Sequence, residues 1–399
     1  MTRRATMEPL FTRAFVALGL ADLCYFTAAG VAIFGLPLYV TGPIGGNDAW
    51  AGVAFGVFAL SALVLRPIAG RLSDTLGRRP LLLGGALIAA ASLALLAVAD
   101  HIAVIIALRL LAGVGEAAFF VAGFAAIADL APRARLGEAL SYNSLGLYLG
   151  IALGPPLGEL LVTMSGYVLA WTGAAVLAVV AAGLALLVGE TREPTPEGTV
   201  ADRHFIHRPA LPIALGFLAS LIAMGGFLAF ASIHAVDVGL PNASLALFTY
   251  GAVVVTCRIA FARVPDRLPP LALGAAALAV LGTGLVIAAT WQTAIGLIVG
   301  AAVAAVGIAF TTPAFFSAIF ATASPAQRGV ASGTASAAID LGLGLGPIAL
   351  GFLASLIAMG GFLAFASIHA VDVGLPNASL ALFTYGAVVV TCRIAFARV

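Results

Sequence analysis

At 102–128 the chain reads "IAVIIALRLLAGVGEAAFFVAGFAAIA", with Arg109 and Glu116 as its only ionisable side chains. As one helix this run is about 40 Å long at 1.5 Å per residue, more than the ~30 Å hydrocarbon core of a bilayer. Comparable runs recur along the whole sequence, parted by short polar breaks. A soluble domain sits near about 45–50% apolar and about 25% charged residues. This chain is 62% hydrophobic and 9% charged, so a water-soluble fold has no interior large enough to hide the runs. Barrel strands are shorter and alternate apolar with polar, which these runs do not. The expected class is an all-α polytopic membrane protein.

The polar breaks place helices at 14–40, 50–69, 80–98, 102–128, 139–163 and 168–189, then at 210–235, 243–262, 270–289, 294–320 and from near 330. The segment 190–208, "ETREPTPEGTVADRHFIHR", is rich in charge, Pro and Thr and reads as a linker. The domains expected are therefore 1–189, a six-helix bundle, the linker 190–208, and a second bundle at 209–399. "MTRRATMEPLFTR" and the run behind it read as the first span rather than a cleaved leader, because the run is long, carries Asp22 and lacks a small-residue cleavage site.

All 19 basic residues are arginine. Without lysine a P-loop is excluded, and neither HExxH nor paired CxxC occurs. A net charge of +2 gives no reason to expect nucleic acid. Cys24, Cys257 and Cys392 lie within apolar runs and read as small hydrophobes. Nearly all the arginines, from Arg3 and Arg66 to Arg208 and Arg328, fall on one side of the helical zigzag, while the loops near Asp48, Asp100, Asp237 and Gln292 carry none. The positive-inside rule then makes the N-terminus and the linker cytoplasmic.

The halves are related. A constant shift of 192 carries Arg66 onto Arg258, Arg71 onto Arg263, Asp74 onto Asp266, Gly150 onto Gly342 and Gly154–Pro155 onto Gly346–Pro347. Small-residue bias alone does not keep Arg and Asp in register, so the chain reads as two parallel repeats of six helices, as in alternating-access transporters. A second repeat is of another kind: 212–264 and 347–399 are identical over 53 residues. The block sets helices 7 and 8 where helices 11 and 12 belong, and leaves an apolar stretch from Val330 to Val371 of about 63 Å as one helix. This reads as a recombination or sequence-assembly product joined at "PIALGFLA".

Three motifs carry chemistry. In "RPIAGRLSDTLGRRP" at 66–80, Gly70 and Gly77 suit a tight turn, Pro80 suits the first turn of a helix, and Asp74 is placed to meet a helix N-terminus. Arg78 and Arg79 can pair with carboxylates or lipid phosphates. An ordinary basic loop explains the arginines but not the Asp and glycine spacing. In "RLLAGVGEA", Arg109 and Glu116 share a helix face seven residues apart, at a depth where charge is costly and should face a cavity or a partner. The alternative for Arg109 is anchoring by backbone carbonyls. In "GIALGPPLGE", Gly150, Gly154 and Gly158 permit close helix packing and Pro155 frees a carbonyl. Glu159 there lies near the depth of Arg109, which predicts an Arg109–Glu159 pair. Asp22 lies near the estimated depth of Glu116, which makes both candidates for proton or cation binding, with Asp340 a third. Tyr25, Tyr142, Asn143 and Tyr148 are candidates for lining a path. His204 and His207 read as solvated, with no third ligand near.

"GRLSDTLGRR" resembles the signature between helices 2 and 3 of the major facilitator superfamily, and the other two motifs resemble that superfamily's helix 4 and helix 5 motifs, in the same order. The resemblance implies that fold, with two six-helix bundles. It implies a conformational latch of Gly70, Asp74, Gly77, Arg78, Arg79 and Asp129, and proton coupling through the helix 4 arginine. It implies a monomer in the plasma membrane that exports a small molecule in exchange for protons, like bacterial drug antiporters, with no cofactor and no catalytic residue. The alternatives are a facilitator or symporter for a sugar or metabolite, and a receptor-like relative that does not transport; an intramembrane enzyme would need acidic or metal motifs at one face.

Overall fold

The computed structural model describes residues 10–132, 136–192, 207–261, 264–323 and 328–372. Its elements are α1 Arg13–Thr41, α2 Asp48–Leu76, α3 Arg78–Leu96, α4 Ile102–Leu130, α5 Leu136–Val188, a 3-10 turn Arg208–Ala210, α6 Leu211–Asp237, α7 Leu245–Ala260, α8 Val264–Arg267, α9 Pro270–Thr290, α10 Ala294–Ala321 and α11 Arg328–Asp372. Short polar side chains begin several of them. Thr12 accepts from Phe15 N (3.2 Å), Asn47 from Trp50 N (3.1 Å) and Thr293 from Gly296 N (3.1 Å), satisfying amides that a helix start leaves free.

The spans expected from the runs are all present. α5 carries two of them, broken where Ser165 leaves the helical region and Gly166 takes φ +75°. Among the described residues nine helices are long and apolar enough to cross a membrane, counting α5 once, and the shorter α7 follows the run at 243–262. The fold is all-helical and spans the membrane many times.

In lipid there is no hydrophobic drive between helices, so close approach depends on small residues. α5 lies along α1, where a Cβ on Gly154 would stand 2.6 Å from the carbonyl of Thr27, and one on Gly150 2.7 Å from the backbone of Phe26 and Thr27. Gly158 faces Val31 and Phe34. α11 meets α6 through the same joint 192 residues on, Gly342 and Gly346 lying against Leu221 and Ile222. The halves meet along two seams. At α2–α11, Gly56 faces the Gly344 carbonyl and Gly52 that of Pro347. At α5–α7, Gly251 abuts Ala152.

α11 runs 45 residues without a break, through Pro347 and on to Asp372. That is about 67 Å. The copied block therefore extends the helix it joins, whereas its first occurrence begins a separate one, α6.

Candidate functional site

Three clusters of charge are set by the helices. The first is the α2–α3 turn. Gly77 reverses the chain at φ +106°, a value that a side chain resists. Arg78 then folds back, giving Nη1 to Asp74 (2.8 Å) and to the Ser73 carbonyl (2.7 Å), and Nε to Asp129 at the end of α4 (3.1 Å). The predicted anion at the α3 N-terminus is a different residue. Glu190 accepts from Arg78 N (2.8 Å), Arg79 N (3.3 Å) and Arg192 N (3.0 Å), and its carboxylate fills the space beside Gly77. Asp74 instead points outward, its side chain 71% exposed and bound to Arg78 alone among the described cations. Burial pushes the Glu190 carboxyl up, but the amides of Arg78, Arg192, Arg79 and Thr191 outweigh it and hold it below the ordinary glutamate value. Arg192 also donates to Thr75 O (2.7 Å) and Thr191 to Asp129 (3.1 Å), so the start of the linker is docked onto the turn. Gly70 lies within α2 with open space around it, so it takes no part in the turn, and the Arg79 side chain is exposed.

The second cluster is buried between the halves. Arg66, read from sequence as a marker of one membrane side, sits inside α2, ten residues before Leu76 and so about 15 Å from its end. Its Nη2 donates to Asp340 of α11 (2.8 Å) and to Glu116 of α4 (3.3 Å), and its guanidinium lies 4.4 Å from the centre of the Phe120 ring. The side chains of Arg66, Glu116 and Asp340 are only 14%, 10% and 4% exposed, so one arginine faces two carboxylates out of water. Glu116 and Asp340 were legible as candidates. Arg66 was missed, although its register with Arg258 marked it as more than a loop residue.

The predicted Arg109–Glu159 pair is not formed. Arg109 gives Nε to the Ala54 carbonyl (3.2 Å) and lies over Phe58 (4.6 Å), which is the backbone anchoring weighed above. Glu159 makes the third cluster, at the end of the molecule opposite the α2–α3 turn. It accepts from Ala243 N (2.7 Å), Ser244 N (3.2 Å) and Ser244 Oγ (2.6 Å), closing the N-terminus of α7. Its partners are amides of the other half, which suit an anion at a helix start. Asp22 is buried on α1 facing Gly123 of α4 and Gly146 of α5. Gly123 is seven residues beyond Glu116, so Asp22 stands about 10 Å along α4 from that carboxylate and does not share its pocket. Tyr25 stacks on Phe119 with ring centres 4.2 Å apart.

The register of the repeats gives Arg66 a counterpart. Arg258 of α7 donates Nη2 to the Tyr148 hydroxyl of α5 (2.9 Å) and stacks over that ring at 4.3 Å. Tyr148 and Asp340 are themselves 192 residues apart. The two arginine contacts between the halves are therefore one repeated arrangement, with a carboxylate in one seam and a phenol in the other. His207, expected to be solvated, is buried: Thr334 Oγ1 accepts from its amide (2.9 Å) and Thr322 meets its ring (3.1 Å). Arg263, Arg328's side chain, Asp266's side chain, those of Tyr142 and Asn143, His204 and Cys392 lie outside the described residues.

Known proteins resemble this chain in sequence and fold. The family model of the Major Facilitator Superfamily matches residues 18–347. An uncharacterized MFS-type transporter of Burkholderia mallei is 30% identical over 343 residues, covering 82% of each chain. Another from Salmonella typhimurium is 27% identical over 360 residues, 88% of this chain and 90% of its own. Among solved structures, a bacterial homolog of the human lysosomal transporter Spinster, inward-facing and unoccupied, superposes with a TM-score of 0.74 over 94% of this chain and 88% of that one, at 17% identity. The family match spans most of the chain and the relatives are transporters rather than enzymes, so the chain belongs to the Major Facilitator Superfamily of secondary transporters.

Proposed function

We propose that this secondary transporter exports a small molecule across the plasma membrane in exchange for protons, by rocking its two halves. The observation that carries the reading is the buried Arg66–Glu116–Asp340 cluster. With both carboxylates ionised it has a net charge of −1, and a single proton makes it neutral. Arg66 and Glu116 belong to one half and Asp340 to the other, so parting α2 from α11 leaves an acid without its guanidinium in the membrane interior. An isolated charge there costs about 3 kcal/mol or more, and protonation relieves it. Occupancy by a proton is then linked to the position of the halves, as exchange requires.

The arginine-rich end, with the α2–α3 turn, is the cytoplasmic one in this reading. Among the described residues, contacts between the halves gather from Arg66 toward the other end, through Gly56–Gly344, Gly52–Pro347 and Glu159–Ser244, which supports a passage open to the cytoplasm. Asp74, Arg78 and Asp129, with Glu190, then serve as the latch of the cytoplasmic face.

The test is transport in proteoliposomes, with an imposed proton gradient across a panel of lipophilic cations, carboxylates and sugars. Asp340→Asn and Glu116→Gln should abolish gradient-driven flux while exchange of labelled for unlabelled substrate persists. Wild-type flux indifferent to the gradient, or Asp340→Asn retaining wild-type coupling, defeats the proposal. Asp22→Asn tested beside them separates Asp22 from the coupling group.

A further inference from the structure

The two seams are built alike and differ in charge. On the α2–α11 side, Arg66 faces Asp340 and Glu116. Shifting those partners by 192 gives Tyr148 for Asp340 and Ile308 for Glu116, so the carboxylates disappear from the corresponding places. Arg258 keeps its position and its charge, and among the described residues no carboxylate pairs with it. A phenol hydroxyl accepts one of its hydrogens and a ring face covers it, both electrically neutral partners. Its Nε–H is buried and meets no acceptor among the described residues.

A second orphaned donor lies on the same helix. Tyr250, eight residues before Arg258 and thus near the same face of α7, is 1% exposed, and its hydroxyl has no partner among the described residues. Its phenol lies within electrostatic reach of both Tyr148 and Arg258, and its ring is stacked on Phe227 at 4.9 Å, which fixes its direction. Buried polar groups are almost always paired, and an unpaired one costs the full loss of its hydration. Here, among the described residues, a guanidinium N–H and a phenol O–H on one helix are both left over, and the guanidinium has no carboxylate partner, at a seam between the moving halves.

We infer that Arg258, Tyr250 and Tyr148 form an oxyanion subsite at the α5–α7 seam, and that the molecule carried bears a carboxylate or phosphate group there. The arginine supplies charge and an in-plane donor, Tyr250 a second donor, and the Tyr148 ring holds the guanidinium flat. This deepens the transport reading and rests on it, since only a passage between the halves brings a solute to this seam. It also divides the labour: the α2–α11 seam holds acids and takes the proton, while the α5–α7 seam holds the cation and takes the cargo.

The test is calorimetric titration of the purified full-length chain with 2-naphthoate and with 2-naphthylmethylammonium, which share a ring system and differ in charge. Naphthoate should bind the wild type, and the ammonium compound at least tenfold more weakly. Arg258→Gln should lower naphthoate affinity tenfold or more, Arg258→Lys should keep part of it, and Tyr250→Phe should lower it about threefold. Absence of naphthoate binding to the wild type, or equal affinity in Arg258→Gln, overturns the inference. Should Arg258→Gln not purify as a single species, Tyr250→Phe decides: reduced affinity supports the subsite, unchanged affinity overturns it. Repeating the titration in phosphatidylcholine nanodiscs with and without phosphatidylglycerol separates the sources of the oxyanion. Competition by the anionic lipid assigns the subsite to a headgroup, and indifference assigns it to a soluble acid. Proton-driven flux of a cationic substrate without naphthoate binding would sink the subsite and leave the transport reading standing. Naphthoate binding with no flux of any compound would do the reverse.

Discussion

Replacing Glu159 by Gln perturbs the contact between halves at the end opposite the α2–α3 turn. The carboxylate holds three donors, Ala243 N, Ser244 N and Ser244 Oγ. Ser244 makes no side-chain cap of its own, so the start of α7 relies on this acid from the other half. A glutamine offers one carbonyl oxygen and no charge, so at best it keeps, weakened, the two bonds that share Oε2 and loses the one from Ala243 N. Hydrogen bonds to a charged group contribute roughly 1.5–3 kcal/mol each. The site is part-buried rather than dry, which argues for the lower end, and a total loss of about 2 kcal/mol. That shifts the ratio of closed to open at this end about 30-fold toward open. The readout is the distance between spin labels at Met164→Cys and Asn242→Cys, both exposed and one in each half, with Cys24, Cys257 and Cys392 replaced by Ser. Double electron–electron resonance should show a longer-distance population growing in Glu159→Gln. Identical distance distributions in the two proteins, at equal thermal stability, would refute the reasoning.

The turn at the other end gives a pH dependence. Glu190 has a carboxyl held below its ordinary value, so its contribution is present above the unfolded value near about 4.3 and is lost as pH falls through the lower folded one. Acidification from neutral pH should therefore lower the melting temperature of the wild type more than that of Glu190→Gln, and parallel curves would contradict this. Gly77→Ala places a methyl group at φ +106° and against the Glu190 carboxylate. Such backbone strain costs about 1–3 kcal/mol, read as a drop in melting temperature that Glu190→Ala should partly reverse. Gly154→Val drives a side chain into Gly30 and Thr27 of α1, and should greatly reduce the yield of monodisperse protein, whereas Gly183→Val, with open space around it, should not; similar yields would show that α1 and α5 can separate.

The spans were legible because a run of apolar residues measures membrane thickness directly, and the break at Ser165–Gly166 falls in the gap left between 163 and 168. The helix contacts of Gly150, Gly154 and Gly158 were legible for a like reason, since a stripe of glycines has little other use in lipid. What failed were inferences from depth. Arg109 and Glu159 lie at similar heights, yet height says nothing of direction around a helix, and each finds backbone partners on a different neighbour. Asp22 and Glu116 were separated by about two turns for the same reason. Arg66 was counted with the loop arginines because charge marks a membrane side only when it lies in a loop; inside α2 it marks a partner instead. Glu190 was hidden in a segment whose composition said linker, while its chemistry serves the turn more than one hundred residues earlier.

One part of the sequence conflicts with this architecture, and the conflict is physical. The family match ends at Pro347, the residue at which the second copy of the 53-residue block begins. Up to that point α11 behaves as the repeat demands: Gly342 and Gly346 close on α6, and Asp340 reaches Arg66. Beyond it the same residues that form α6 at 212–237 continue α11 to Asp372. In the first copy Gly225 and Gly226 are buried against α11, near Pro347 and Leu350. That face was shaped to meet another helix, and a sequence cannot be at once the groove and the extension of the ridge that fills it. A helix of about 67 Å also overshoots a ~30 Å core by more than its own width of membrane. Local helix propensity is satisfied in both places, so propensity alone accepts the copy. We propose that the junction at 347 arose by recombination or sequence assembly at "PIALGFLA", and long-read resequencing across it decides the matter: an intact duplicated reading frame would refute this account, and a single copy would support it.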